Sequence, residues 1–302
     1  MIGKVVLFLK KIDKHIFNDL INFGLFNRMS DEDFIKLKYK RAFKKELDLE
    51  NPVTFNEKLQ WIKLYKREAI YSLMADKYEV KRYVGKKIGE KYIIPTLKVW
   101  DDPDEMDLQS LPEQFVLKCT HDSGGVIICR NKNDFNIKAA RKKIRKWMKR
   151  NYYLFAREWP YKNISPRIIA EKYMVDQKNA ELEDYKVHCF NGIPKVILVC
   201  ENRYSKNGLT EDFYSADWKR YDVKRPEVPN AKKEKERPEQ LEEMLLLAGK
   251  LSQGIPFVRI DFYIINNQIY FGEVTFFPAA GLKGFIPEEF DMIMGSWITL
   301  EK

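Results

Sequence analysis

Histidine is scarce in this chain: His15, His121 and His188 are the only three among 302 residues, too few to suggest a Ser/His/Asp relay. His188 falls inside a strand-like run with no second histidine nearby, the pattern of a satisfied core histidine and not of a ligand. The four cysteines (Cys119, Cys129, Cys189, Cys200) show no CxxC spacing and sit in apolar surroundings. That argues against disulfides or a metal site and reads as buried thiols in a reducing compartment. Long apolar runs are also missing, because Lys or Glu interrupts each one, so no segment is expected to span a bilayer. The N-terminus has only a short apolar stretch and no small-residue cleavage site, which argues against a signal peptide and for a cytoplasmic protein. Internal repeats and low-complexity tracts are absent as well.

What the chain does have is positive charge, unevenly placed. The formal net charge is +10, and between Lys132 and Arg150 nine basic residues face one acid, Asp134. A helix over about 136–150 would bury Ala140, Ile144 and Trp147 and leave a cationic face. That face is either simply solvated or a surface for a polyanion: acidic polysaccharide, anionic lipid or, least of all, nucleic acid, for which no recognition motif is present. Residues 1–50 read as basic amphipathic helices, with Val5, Phe8, Ile12, Ile16 and Leu20 at helical spacing. They either pack on the body or, through residues 1–26, touch a membrane surface from its inner side.

After Asn51-Pro52, Thr54-Phe-Asn-Glu57 is a capping box that opens a helix, and a second helix is expected over about Ser72–Val84. Phe115–Thr120 is strand-like, and Ser123-Gly124-Gly125 turns the chain into a second strand. Such a turn frees backbone N–H groups for phosphate oxygens, although most such turns only join strands. Asn191-Gly192 between alternating runs marks another hairpin. A third hairpin, Phe257 to Thr275, carries Asp261 on one strand and Glu273 on the other. Carboxylates are costly in strands unless paired, and a divalent cation is one such partner. The two share a face only if the loop is odd in length or a bulge intervenes. A three-residue loop Ile265-Asn266-Asn267, with Glu273 opposite Arg259 and diagonal to Asp261, meets that condition.

Lys118 with Ser123-Gly124-Gly125, Glu171-Lys-Tyr-Met174, Asp184-Tyr-Lys186, Arg259-Ile-Asp261 and Gly272-Glu273 occur in the order found in ATP-grasp ligases. More closely, NPVTFNEKLQW, MADKYEVKRYV, FVLKCTHDSGG, DYKVHCFNG and RIDFYIINNQIYFGEVTFFPAAG resemble the TupA-like ATP-grasp proteins of teichuronopeptide and capsule loci, from about Asn51 onward. The resemblance implies an α+β fold in which two lobes of antiparallel sheet, about 91–170 and 171–302 within a catalytic domain 51–302, clamp ATP. It implies further that Lys118 touches the α/β phosphates, that Ser123, Gly124 and Gly125 cover the triphosphate, and that Lys77 faces the nucleotide. Glu171 and the backbone at Tyr173 and Met174 would read the adenine edge. Lys186 and Arg259 would act at the γ-phosphate or acyl phosphate, and Asp261 and Glu273 would hold Mg²⁺. Thr275 stands where many relatives have Asn, a shorter neutral oxygen ligand.

The implied chemistry is carboxylate activation by ATP, followed by capture of the acyl phosphate by an amine. An acidic saccharide or polysaccharide would be the acceptor, and the basic helix could hold it. Two alternatives stand beside this. One is a glycosyltransferase of the same pathway, since Asp31-Glu-Asp33 and Asp102-Pro-Asp104 match an Asp-x-Asp pattern. The other is a non-catalytic scaffold for membrane or polysaccharide.

Overall fold

The structure, a computed structural model, describes residues 13–177, 182–202 and 208–301. Among the described residues two helices come first, α1 (Lys14–Asn22) and α2 (Asp31–Phe43). They enclose an apolar cluster of Phe17, Ile21, Phe26, Phe34 and Leu37 that extends to Phe155 of the body. Of the candidate membrane segment, residues 1–12 lie outside the described residues. Within the rest, Phe23 (87% exposed) and Leu25 (62%) remain on the surface.

The expected capping box starts α3 (Phe55–Tyr65): the Thr54 hydroxyl accepts from Glu57 N at 3.2 Å, and the Glu57 carboxylate accepts from Thr54 N at 2.9 Å. The single helix expected over Ser72–Val84 is instead two, α4 (Ala69–Ala75) and α5 (Glu79–Ile88). Asp76 causes the break. Its carboxylate accepts from the backbone N–H groups of Tyr78 and Glu79, a local bond that competes with helix continuation. The break lets Lys77 N bond to Thr120 O, which places Lys77 beside the Ser-Gly-Gly turn.

Two antiparallel sheets follow. The first has strand order β1-β4-β2-β3, with β1 Thr96–Trp100, β2 Phe115–Cys119, β3 Val126–Cys129 and β4 Ile168–Lys172. Trp100, Phe115, Leu117, Cys119, Ile168 and Ala170 form its core against Ile144 of the basic helix α6 (Ile137–Met148). The segment 151–166 carries α7 (Tyr152–Ala156) and a 3₁₀ turn, Trp159–Tyr161.

The second sheet has order β7-β6-β5-β8-β9. Its strands are β5 (Glu183–Phe190), β6 (Ile193–Glu201), β7 (Thr210–Ser215), β8 (Phe257–Ile265) and β9 (Gln268–Thr275). Asn191 (φ 47°) and Gly192 (φ 81°) make the expected two-residue turn from β5 to β6. Tyr185, Val187, Ile260 and Phe262 form a large apolar core with Leu241, Met244 and Leu251 of α8 (Leu241–Ser252). A last helix, α9 (Glu289–Ser296), crosses α3. Side chains alternate along strands, so the opposite face of this sheet collects Lys186, His188, Arg259 and Asp261. The turn after β8 clasps the segment that crosses between sheets: Asn266 N bonds to Asp176 Oδ2 at 2.7 Å and Gln177 N to Asn266 Oδ1 at 3.0 Å.

Candidate active site

The β8–β9 hairpin has a two-residue turn, Asn266 (φ 50°) and Asn267 (φ 64°), which pairs Ile265 with Gln268. The expected three-residue loop is therefore corrected. Two asparagines tolerate the left-handed region and make a tight turn whose twist matches the strands. The bulge does occur. Asp261 pairs with Glu273 and Phe262 with Phe271, leaving Gly272 as the extra residue. A Cβ on Gly272 would stand 3.1 Å from the Asp261 carbonyl oxygen, which is why a residue without one fits. Glu273 consequently lies directly opposite Asp261, and Thr275, not Glu273, lies opposite Arg259.

With Lys186 opposite Asp261 on the other side, a row Lys186–Asp261–Glu273 runs across three strands on one face. Asp261 is 2% exposed. Lys186 Nζ reaches its Oδ2 at 2.6 Å, and Arg259 grips both oxygens at 2.6 and 2.7 Å. Burial alone would raise this carboxyl, but the Arg259 and Lys186 cations hold it down at about 2. Burial likewise opposes charge on Lys186, and Asp261 outweighs it, so its ammonium is held more firmly than usual. Asp184 adds a second carboxylate to Lys186 at 2.7 Å.

The three residues expected to hold a metal share one contact. Nη2 of Arg259 lies 2.7 Å from Asp261 Oδ2, 3.2 Å from Glu273 Oε1 and 3.0 Å from Thr275 Oγ1. Three hard oxygen donors thus converge on one cationic nitrogen, a donor set that suits Mg²⁺. Among the described residues no group of three or more His, Cys, Asp or Glu is arranged for a metal, so the set depends on the Thr275 hydroxyl. Glu273, with its side chain 43% exposed, is the accessible member.

On the first sheet the Lys118 Nζ lies 2.6 Å from Glu171 Oε2, and Lys81 of α5 takes the other oxygen. Burial pushes the Glu171 carboxyl up, yet Lys118 and Lys81 bring it down to about 2. In this arrangement the Glu171 carboxylate braces two lysines, while Tyr173 and Met174, both half-buried, follow β4 in the crossing segment. Lys81 was not singled out from sequence. Its signal was the four-residue spacing from Lys77 in the same helical segment.

Ser123 and Gly124 form the exposed tip of the β2–β3 turn, and Gly124 has φ 84°, which only glycine adopts at no steric cost. Lys77 Nζ donates to the Asp122 carbonyl behind this tip. Burial pushes its amine down, and among the charges it senses the largest contribution is from Glu273, so Lys77 stands between the glycine turn and the carboxylate row. The Tyr152 and Tyr161 hydroxyls, whose pKa values burial raises, both lie in the field of Glu273. The segment 151–166 therefore brings two tyrosines near Glu273.

Other candidates fall elsewhere. His188 is fully buried, its Nδ1 3.1 Å from Lys186 O, and burial pushes its pKa down to about 3, so the ring is neutral. All four cysteines are buried thiols outside any disulfide. Asp31 is held by Arg67 at 2.7 Å and Arg157 at 3.2 Å, and Asp104 by Arg145 at 2.7 Å. Both Asp-x-Asp patterns serve helix starts and ion pairs: Ser30 caps α2, and Asp102 caps the 3₁₀ turn Pro103–Glu105.

The first antiparallel sheet thus carries Lys118 and the second the Asp261–Glu273 pair. The family model described as TupA-like ATPgrasp matches residues 57–299, and the chain belongs to that family. ATP-grasp ligases use ATP with Mg²⁺. No protein of curated function matches the chain. Among solved structures, it is similar to the D-alanine–D-alanine ligase of Bacillus anthracis complexed with ATP, at 16% identity and a TM-score of 0.41, over 67% of this chain and 55% of that one. It is also similar to a RimK domain ATP-grasp protein of Sphaerobacter thermophilus, at 10% identity and a TM-score of 0.43, over 76% and 69%. The chain thus spans little more than half the length of the Bacillus ligase.

Proposed function

We propose that this protein is an ATP-dependent carboxylate–amine ligase that acts through an acyl phosphate on a uronic acid or glutamate-type carboxylate of a surface polysaccharide, of the capsule or teichuronopeptide kind. The observation that carries the reading is the Lys186–Asp261–Glu273 row with Arg259 and Thr275, in a chain of the ATP-grasp family. Asp261, Glu273 and Thr275 would hold Mg²⁺, which when bound neutralises phosphate charge and orients the triphosphate. Lys118 and Lys77 supply cations beside the row, and the N–H groups of Gly124 and Gly125 cover phosphate oxygens, while that of Ser123 donates to Asp122 Oδ1 at 2.7 Å.

In the first step a substrate carboxylate oxygen bonds to the γ-phosphorus of ATP, the bond to the β–γ bridging oxygen breaks, and ADP leaves. Lys186 and Arg259 stabilise charge on the transferring group by position and electrostatics. An amine nitrogen then bonds to the acyl carbon, and phosphate leaves with the electron pair of the broken C–O bond.

Two features support the acidic polymer and an inner-membrane setting. The face of α6 exposes Lys138, Lys142, Lys143 and Lys146, with Lys149 and Arg150 just beyond its end. That end meets the glycine turn, since Arg150 lies 3.5 Å from Asp122 and Trp147 lies against Gly125. An anionic chain lying along the helix would therefore lead into the cleft. Near the other end of the sequence, exposed Ile16, Phe23 and Leu25 suit contact with the inner face of a membrane. Among the described residues no helix is long and apolar enough to cross one.

The test is ADP and phosphate release with MgATP and a panel of uronic acids, glutamate oligomers and amines. Lys118→Ala and Glu273→Gln are expected to abolish turnover while leaving the protein folded. Undiminished ATP consumption by either variant, or consumption of a nucleotide sugar in place of ATP, refutes the reading.

A further inference from the structure

The glycine turn between β2 and β3 is pinned on both sides and open at its tip. Before the tip, Thr120 N bonds to Arg167 O at 2.9 Å, Thr120 O accepts from Lys77 N at 3.1 Å, and Lys77 Nζ donates to Asp122 O. After it, a Cβ on Gly125 would stand 3.1 Å from the Trp147 ring of α6. Between these anchors Ser123 and Gly124 are exposed, and a Cβ on Gly124 would meet nothing within 4 Å. The backbone at the tip therefore has room beside it for a ligand atom.

One donor at this tip is engaged by the chain itself. Asp122, 2% exposed, folds its carboxylate onto the next residue, and Ser123 N donates to its Oδ1 at 2.7 Å. The other oxygen, Oδ2, is buried and accepts no hydrogen bond. Its one ion pair among the described residues is with Arg150 Nη1 at 3.5 Å, longer than a charge-assisted hydrogen bond. Arg150 follows the end of α6, its side chain is about half exposed, and no other acid among the described residues pairs with it. The Asp122 carboxylate thus stands between two donors, a backbone N–H that it occupies and a guanidinium that it has not fully reached. An oxyanion arriving at the turn competes for the first donor and is repelled by the same carboxylate.

We propose that Asp122 and Arg150 are positioning residues for the triphosphate: Asp122 yields Ser123 N to a phosphate oxygen and closes on Arg150 instead. The proposal rests on the ligase reading, which puts the triphosphate at this turn. The exchange gives the phosphates three consecutive N–H donors, from Ser123, Gly124 and Gly125, and gives Asp122 a charge-assisted bond for the one it loses. If Arg150 is removed, the carboxylate stays on Ser123 N and opposes the phosphate. If Asp122 is removed, the N–H is open and Arg150 has nothing to draw away. The two residues therefore act in opposite directions on triphosphate affinity, and Arg150 acts only through Asp122. A guanidinium that touched phosphate directly would contribute equally with or without Asp122, so combining the two substitutions separates these cases.

The experiment is equilibrium binding of a non-hydrolysable ATP analogue with Mg²⁺, and of adenosine, to the full chain and its variants. Asp122→Ala is expected to tighten analogue binding about fivefold, and Arg150→Met to weaken it about tenfold. In the Asp122→Ala background, Arg150→Met should change it by less than about twofold. Adenosine carries no phosphate and should bind every variant within about twofold of the parent. An Arg150→Met loss of equal size in both backgrounds, or weaker analogue binding by Asp122→Ala with adenosine unchanged, overturns the proposal. A crystal structure of the parent with the analogue tests it without any variant. There Ser123 N should face a phosphate oxygen and Asp122 Oδ2 should lie within about 3 Å of Arg150, whereas Ser123 N still bonded to Asp122 overturns the proposal. Failure of the parent chain to bind the analogue would instead overturn the ligase reading.

Discussion

Replacing Glu171 with Gln removes the carboxylate that bridges Lys118 and Lys81, and the size of the effect can be worked out. The Glu171 side chain is 7% exposed, and its carboxyl sits at about 2 where 4.5 is usual. Burial acts against the charge, so the whole preference comes from the two lysines overcoming it. That difference corresponds to about 3 kcal/mol favouring the ionised form in the folded protein. Because the folded value is depressed, the contribution is fully present above about pH 4.5 and is lost as pH falls through about 2, with half gone near pH 3. Glu171→Gln is therefore expected to lose about 3 kcal/mol at pH 7, a fall in Tm of roughly 6–10 °C for a chain of this size. Urea or thermal unfolding of parent and variant at several pH values checks this, since the gap between them should close towards acid. A Tm within about 2 °C of the parent at pH 7, or a gap that stays constant from pH 7 to pH 3, would refute the reasoning.

Two further outcomes can be measured directly. A Cβ on Gly295 would collide with the Val53 carbonyl oxygen and the Phe55 nitrogen, both backbone atoms that cannot swing aside. Gly295→Ala should therefore cost about 3 kcal/mol by thermal unfolding, through separation of α9 from α3. Reversing Lys142, Lys143, Lys146 and Lys149 to Glu should weaken binding to polyglutamate about tenfold or more at 0.1 M salt and flatten its salt dependence.

Much of the architecture could be read in advance, because its signals are local. Thr54 and Glu57 form their capping box, Asn191-Gly192 turns a hairpin, and the cysteines are buried thiols. The break after Ala75 was missed. It depends on Asp76 bonding the next turn and on Lys77 meeting Thr120, a contact from far along the chain. Lys81 was missed for the same reason: it acquires its role from Glu171, distant in sequence.

The hairpin that carries Asp261 and Glu273 lies between these cases. Strand alternation required an odd element somewhere between the two carboxylates, and that much was readable. Whether the loop or the strand would supply it depended on chemistry at two places. Asn266 and Asn267 both adopt positive φ, which favours the shorter turn and moves the extra residue into β9. Gly272 is the residue there, and a Cβ on it would stand only 3.1 Å from the Asp261 carbonyl oxygen. The resulting register sets Asp184, Asp261 and Glu273 against Lys186 and Arg259 on one face, three formal negative charges against two positive. Arg259 spreads its charge over Asp261, Glu273 and Thr275 and still leaves that strand face one unit negative. A divalent cation on the same oxygens would turn the face one unit positive, which is the sign a triphosphate requires. The bulge therefore sets the electrostatic character of the cleft as well as its geometry.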